Sequence, residues 1–230
     1  MKSLSKQALE GIMSDWHSSD EGVHTYYLMP KKQLPPDIPK PITIDEFIST
    51  SSTGVIVLLG NHDSHLIIPP FPIQSTQDYP GWNLQPLRDQ MQRSRKLLVV
   101  LIRRGGFSIG IFQGANLIVS KTSSPFVKAR HRKGGSSSGR FARRRDEQTQ
   151  ILLNKACDAL TTQFKTHGEN LDHIILGGDK QILVALEKKC TAMQKLKPLQ
   201  TNRIINVREP RFKVLTSSLK EIYTSQVTTF

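Results

Sequence analysis

The sequence predicts an α/β protein: a mixed sheet built from three antiparallel strands followed by helix, strand, helix, strand, helix, with a small α+β unit in front. Three observations predict it. The runs LLVVLIRR, FSIGIFQG and NLIVSKTS, within residues 97–123, are joined by short turns containing Gly, the pattern of an antiparallel meander. From Arg140 the apolar period lengthens, and Phe141, Ile151, Leu152, Ala156, Ala159 and Leu160 fall on one face of a long helix reaching about Lys165. Beyond it, short apolar runs alternate with helical stretches, an order that implies parallel pairing.

The elements follow in order. SLSKQALEGIMSDW places Leu4, Ala8, Ile12 and Trp16 on one side of a short helix, with Ser3 or Ser5 as its cap. VHTYYLMP reads as a strand. Residues 31–41 carry four prolines and read as a connector, after which TIDEFIST forms one or two helical turns from Thr43. TGVIVLLGNHDSHLIIPPF reads as a hairpin around Gly-Asn-His-Asp, a turn composition that accounts for Asn61 to His65 without a metal. Residues 1–74 are therefore expected to form the small N-terminal α+β unit. The polar, proline-bearing QSTQDYPGWNLQP marks the boundary, and LRDQMQRSRK should be a basic helix, so 75–94 reads as linker and helix and 95–230 as the second domain. In that domain LDHIILGG is a buried strand, DKQILVALEKKC a helix with Asp179 near its start, and RIINV a strand. PRFKVLTSSLKEIYTSQV is read as a final helix with Pro210 in its first turn. This order is that of a ribonuclease H-like layout. A nuclease of that layout holds two metal ions on strand-end carboxylates, and the meander carries none, which excludes that reading.

Charge is the most informative part of the composition. The chain carries +13 over 230 residues. Between Arg88 and Arg145 there are fifteen Lys/Arg and one acid, Asp89, a local +14, so the rest sums to −1. A single-signed patch of this size is the footprint of a polyanion partner, with nucleic acid ahead of an anionic membrane. The longest apolar run, LLVVLI, is far short of a membrane span, and the N-terminus lacks the apolar core of a signal peptide, so a cytoplasmic protein that does not enter membranes is expected. Two cysteines, Cys157 and Cys190, are too few for a disulfide framework and have no metal-ligand spacing; both read as reduced, mostly buried thiols. No cofactor and no metal is expected.

The patch is densest in KARHRKGGSSSGRFARRRDEQTQ, residues 128–150. Lys128, Arg130, Arg132 and Lys133 precede an uncharged tip of Gly and Ser, and Arg140, Arg143, Arg144 and Arg145 follow it. These eight are the candidate RNA-binding residues. Arg143 and Glu147 are spaced i, i+4, so one arginine also supports the helix, and Phe141 reads as core. Gly177 to Lys180, at a strand-to-helix turn, fits either a phosphate seat or a capped helix start. A serine nucleophile among Ser136 to Ser138 has only His131 nearby as a base and ranks last.

The run GGSSSGRFARRRDEQ resembles the Gly-Gly-Gln loop and following helix of the middle domain of eukaryotic and archaeal peptide-chain release factors. Gly134, Gly135, Ser137, Arg140, Phe141, Ala142, Arg143 and Arg145 match in register. RRGGFSIGIFQGANLIVSK, RFARRRDEQ and LDHIILGGD look closer still to a bacterial branch of that superfamily, the Vms/Ankzf-type release factor-like peptidyl-tRNA hydrolases. The likeness covers roughly residues 95–228.

The resemblance implies a hydrolase acting on the peptidyl-tRNA ester, with Gly134, Gly135, Ser136, Ser137 and Ser138 at the catalytic tip and the large-subunit rRNA and tRNA as partners. In the family a loop glutamine orients the hydrolytic water. Here that position is Ser136; in the bacterial branch the glutamine falls nearer Ser138 or Gly139, and no glutamine lies in this loop. Gln148 and Gln150 are the nearest amides, two or more turns into the helix. The alternative is therefore a ribosome- or tRNA-binding rescue factor that does not hydrolyse. No stretch reads as a codon-recognition domain, so the role is expected to be independent of a stop codon, and the protein to be a monomer.

Overall fold

The computed structural model describes residues 1–16, 23–35, 42–61, 63–123 and 138–230. The chain divides into two compact units, Met1–Arg93 with Lys220–Phe230, and Ser94–Leu219. It is a mixed α/β protein with two sheets.

The first unit is built on an antiparallel six-stranded sheet. Its strands are β1 (Lys2–Leu4), β2 (His24–Leu28), β3 (Val55–Leu59), β4 (His65–Ile68), β5 (Gln77–Pro80) and β11 (Ser225–Thr229), in the order β1-β11-β4-β3-β2-β5. Its helices are α1 (Lys6–Asp15), α2 (Ile42–Thr50) and α3 (Gln85–Gln92). Strand β3 shows why the sheet needs helices on both faces: Ile56 and Leu58 point into a cluster with Leu9, Met13, Leu87 and Met91 of α1 and α3. Val55 and Val57 point the other way, toward Ile44 and Ile48 of α2. A strand buried on both sides reads as an unbroken apolar run, here VIVLL, and each such side chain removed from water contributes roughly 1.5–3 kcal/mol before entropy is counted. Ser5 is the cap of α1, its hydroxyl accepting from the Ala8 amide at 3.3 Å.

Three differences from the sequence reading lie in this unit. Lys2–Leu4 and Gln77–Pro80 are short edge strands; the second falls inside the stretch that the sequence reads as a boundary, because its mostly polar, exposed residues join β2 chiefly through backbone pairing, with the Tyr79 ring edge-on to Tyr27. Ser225–Thr229, whose first three residues the sequence reads as the end of the last helix, is a strand between β1 and β4. Alternation explains it: Ser225 and Val227 are buried, while Gln226 between them is exposed.

The second unit has a five-stranded sheet in the order β10-β9-β6-β7-β8. Strands β6 (Lys96–Arg103), β7 (Gly106–Gln113) and β8 (Asn116–Ser123) form the antiparallel meander, and β9 (His173–Gly178) and β10 (Gln200–Ile205) add in parallel beside β6. The long helix α4 (Ser138–His167) covers one face with α5 (Lys180–Lys189) and α6 (Thr191–Leu196); Leu152, Ala156 and Leu160 pack on Leu98, Val100 and Ile109. On the other face Leu215 of α7 (Phe212–Ile222) lies over Gly110, where a Cβ would come within 2.9 Å of it. The helix read in DKQILVALEKKC ends at Cys190, as α5 does, and α6 beyond it is an element that the sequence reading does not include.

Cys157 and Cys190 are joined by a disulfide, with 5.5 Å between their α-carbons, which corrects the expectation of two reduced thiols. Packing of α5 on α4 brings together two residues that sequence spacing left unrelated.

Candidate nucleic-acid interface

β8 is the last described element before the segment that holds the Gly/Ser tip, and its register fixes where Ser123 lies. Ser123 lies opposite Phe107, at the start of β7, and the hydroxyls of Ser108 and Thr122 meet at 2.6 Å. Arg103 pairs with Gly106, Ile102 with Gly178, and Ile205 with Gly177. β6, β8, β9 and β10 therefore all run out at one end of the sheet. In an open α/β sheet the end where parallel strands finish is the usual place for a ligand, because loops there diverge and helix N-termini converge.

Among the sequence-predicted site residues, Lys128, Arg130, Arg132, Lys133, Gly134, Gly135, Ser136 and Ser137 lie outside the described residues. Ser138 and Arg140 belong to the first turn of α4. Arg143, Arg144 and Arg145 follow on the same helix with exposed side chains. Three consecutive residues of a helix spread over most of its circumference, so these arginines present charge in several directions around one turn.

Gln150 is otherwise occupied. Its Oε1 accepts from the Lys189 ammonium of α5 at 2.7 Å, which ties it to helix packing. Gln148 is exposed on α4, two turns beyond Arg140.

The strand-to-helix turn at Gly177 to Lys180 resolves toward the capped helix start. The Asp179 carboxylate accepts from the amides of Gln181 at 2.9 Å and Ile182 at 3.3 Å, so an anion already sits on the α5 N-terminus. Gly178 has φ +110°, and a Cβ there would run into the carbonyl of Ile102. Of the stretch Asn61 to His65, His62 lies outside the described residues; the Ser64 hydroxyl accepts from the Gly60 amide at 3.2 Å, and His65 belongs to β4, stacked on Trp16 at 4.1 Å. Among the described residues there is no group of acidic, His and Cys side chains able to hold a metal ion. No helix among them is long and apolar enough to cross a membrane.

Arg103, one of the cations of the basic patch, has a structural role that charge alone does not indicate. Its guanidinium, half-buried at the end of β6, donates to the carbonyls of Val207 at 3.1 Å and Arg208 at 3.3 Å. It thereby fastens the β10–α7 connection to the same sheet end. No sequence signal announces a bond between positions more than a hundred residues apart.

The sequence from residue 95 to residue 228 matches the family model of the Actinobacteria/chloroflexi VLRF1 release factor. The chain belongs to that release-factor family. The matched span contains the meander, the tip, α4 and the two parallel strands. Relatives of the family in the curated proteins include the peptide chain release factor subunit 1 of Archaeoglobus fulgidus, 24% identical over 130 residues, covering 55% of this chain and 32% of that one. The eukaryotic peptide chain release factor subunit 1 of Blepharisma americanum is 31% identical over 107 residues, covering 45% of this chain and 24% of that one. The chain thus spans about a quarter to a third of the length of these relatives. Among solved structures, the archaeal translation termination factor aRF1 aligns with 96% of this chain and 73% of its own, at 14% identity and a TM-score of 0.36.

Proposed function

We propose that this protein is a ribosome-associated peptidyl-tRNA hydrolase that releases nascent chains without a stop codon. The observation that carries the reading is the family match through residues 95–228, which includes the Gly/Ser tip and its flanking cations. In the proposed reaction a water oxygen attacks the ester carbonyl carbon, the bond from that carbon to the tRNA ribose oxygen breaks, and the water's proton ends on the ribose hydroxyl. Such an ester asks for a positioned water and donors for the developing oxyanion, and orientation of this kind accounts for several kcal/mol of barrier. Gly134 and Gly135 allow backbone amides to come close to the oxyanion, and the Ser136 hydroxyl is the side chain available to hold water. Lys128, Arg130, Arg132, Lys133, Arg140, Arg143, Arg144 and Arg145 neutralise rRNA and tRNA phosphates. We read the second unit as ribonuclease H-like from its strand order, and the protein as a cytoplasmic monomer.

One observation favours a second reading. The tip has no glutamine, and a serine hydroxyl reaches about two bonds less far than a glutamine amide, which fits a rescue factor that binds ribosomes or tRNA without hydrolysis. Incubation with ribosomes stalled on a message lacking a stop codon separates the two. Deacylated tRNA and free peptide support the hydrolase; co-sedimentation with the large subunit and an intact ester support the binding factor. Neither binding nor release overturns both.

A further inference from the structure

We propose that the β10–α7 connection, with Arg208, Arg211, Phe212 and Lys213 beside Arg104, is a second RNA contact, one that seats an unpaired nucleotide by stacking its base on Phe212. The inference rests on the reading of the chain as an RNA-binding factor, but it concerns residues outside the Gly/Ser tip and its flanking arginines.

Phe212 carries the argument. It is 51% exposed, and no other Phe, Tyr or Trp among the described residues is exposed. The rings that serve the cores, such as Phe71, Phe107 and Phe112, are almost wholly buried. Phe212 opens α7, whose attachment to the sheet is supplied by Leu215 one turn later, so folding does not require an aromatic ring at 212.

Its surroundings are cationic. Arg104 sits in the β6–β7 turn, Lys180 begins α5, and Arg208, Arg211 and Lys213 bracket Phe212; all five side chains are exposed, and Arg103, bonded to the Val207 and Arg208 carbonyls, is half-buried. The acids of the same sheet end are Asp179, bound to the α5 amides, and Glu209, paired with Arg211. Six cations against two acids leave +4. The ion pair is open to water, with 71% of the Arg211 and 62% of the Glu209 side chain exposed, so a phosphate displaces Glu209 at little cost.

The geometry is held rather than loose. Arg103 grips the carbonyls of Val207 and Arg208, the amide of Arg211 donates to the Glu209 carbonyl at 2.9 Å, and Pro210 is buried. A fixed exposed ring amid cations is the arrangement by which proteins take single-stranded RNA, the ring stacking on a base and the cations meeting phosphates on either side. Duplex RNA keeps its bases stacked internally and offers such a ring nothing.

The test is fluorescence anisotropy of the full chain with a labelled single-stranded RNA, the same strand with abasic ribose throughout, and an RNA duplex of equal length. Phe212→Leu is expected to weaken single-strand binding about tenfold, with the salt slope unchanged and with abasic and duplex affinities unchanged. Phe212→Trp is expected to restore it. Arg208→Glu with Arg211→Glu is expected to weaken all three probes and to reduce the salt slope by about one to two. Arg143→Glu with Arg144→Glu and Arg145→Glu reports on the other RNA surface; if it abolishes ribosome binding while Phe212→Leu changes nothing, this proposal falls and the release-factor reading stands. Equal loss of intact and abasic strands in Phe212→Leu overturns it. So does binding of phosphatidylserine vesicles that Phe212→Leu abolishes while single-strand affinity holds, which assigns the patch to lipid.

Discussion

Cys157 on α4 and Cys190 at the start of α6 are covalently linked, closing a loop of 33 residues that contains the end of α4, all of β9 and all of α5. A cross-link over a loop of that size restricts the unfolded chain and contributes about 3–4 kcal/mol in the chain-entropy account. Urea unfolding with and without dithiothreitol, followed by circular dichroism, should show the midpoint fall on reduction. Cys157→Ser should match the reduced protein, and midpoints that coincide in all three states would rule the contribution out.

Two glycines should respond in opposite directions to alanine. Gly178→Ala combines a left-handed backbone with a collision against the Ile102 carbonyl and should cost about 3 kcal/mol. Gly11 lies within α1 with nothing within 4 Å of a would-be Cβ, so Gly11→Ala should add about 0.5–1 kcal/mol through helix propensity. Thermal melts of the two variants check both signs.

His65 makes the first unit sensitive to acid. Burial lowers its pKa from 6.5, and the nearby Asp63 charge offsets this only in part. Since the folded state disfavours the imidazolium, the unfolded state takes up its proton first. The contribution is complete above about pH 6.5 and is lost as pH falls through the folded pKa below it. Melting temperature should drop from pH 7 toward pH 5, and His65→Phe should flatten that part of the curve. An identical slope in the variant would move the sensitivity to other groups.

At the tip, Gly135→Ala should reduce peptide release about a hundredfold or more, while ribosome co-sedimentation stays near the wild-type level. Ser136→Gln should leave release equal or raise it. A sharp drop in that variant would give the serine a role of its own.

Arg143→Glu, Arg144→Glu and Arg145→Glu together should weaken ribosome co-sedimentation tenfold or more at low salt, because each reversal replaces a phosphate contact with repulsion. Their exposure on α4 makes loss of fold an unsuitable explanation, and unchanged circular dichroism would confirm it.

The buried architecture was largely legible because burial imposes periodicity. VIVLL and LLVVLIRR announce strands covered on both faces, and the spacing of Leu152, Ala156 and Leu160 announces α4. Edge strands escape for the complementary reason: QDYP contributes backbone pairing and a single half-buried ring, Tyr79, too little apolar pattern to distinguish it from a linker. Ser225–Thr229 was absorbed into the preceding helix because five residues with one buried valine give too short a sample to separate the two periods. At the candidate site, sequence shows which residues are basic but not what holds them. The bonds from Arg103 to Val207 and Arg208, and the cations gathered at the sheet end that carries Phe212, exist only once strands distant in sequence have been laid side by side.

Strand β11 has a practical corollary for anyone dissecting this molecule. The family-matched stretch runs on to residue 228, yet its last residues are stitched into the other unit's sheet, between Lys2–Leu4 and His65–Ile68. A fragment cut at the start of the match and carried to the end would drag along an orphaned ribbon with both edges bare, an invitation to aggregate. Ending the fragment near Leu219 would spare it that ribbon, and would leave the amino-terminal piece with a gap that only the missing ribbon, added back as a peptide, would fill.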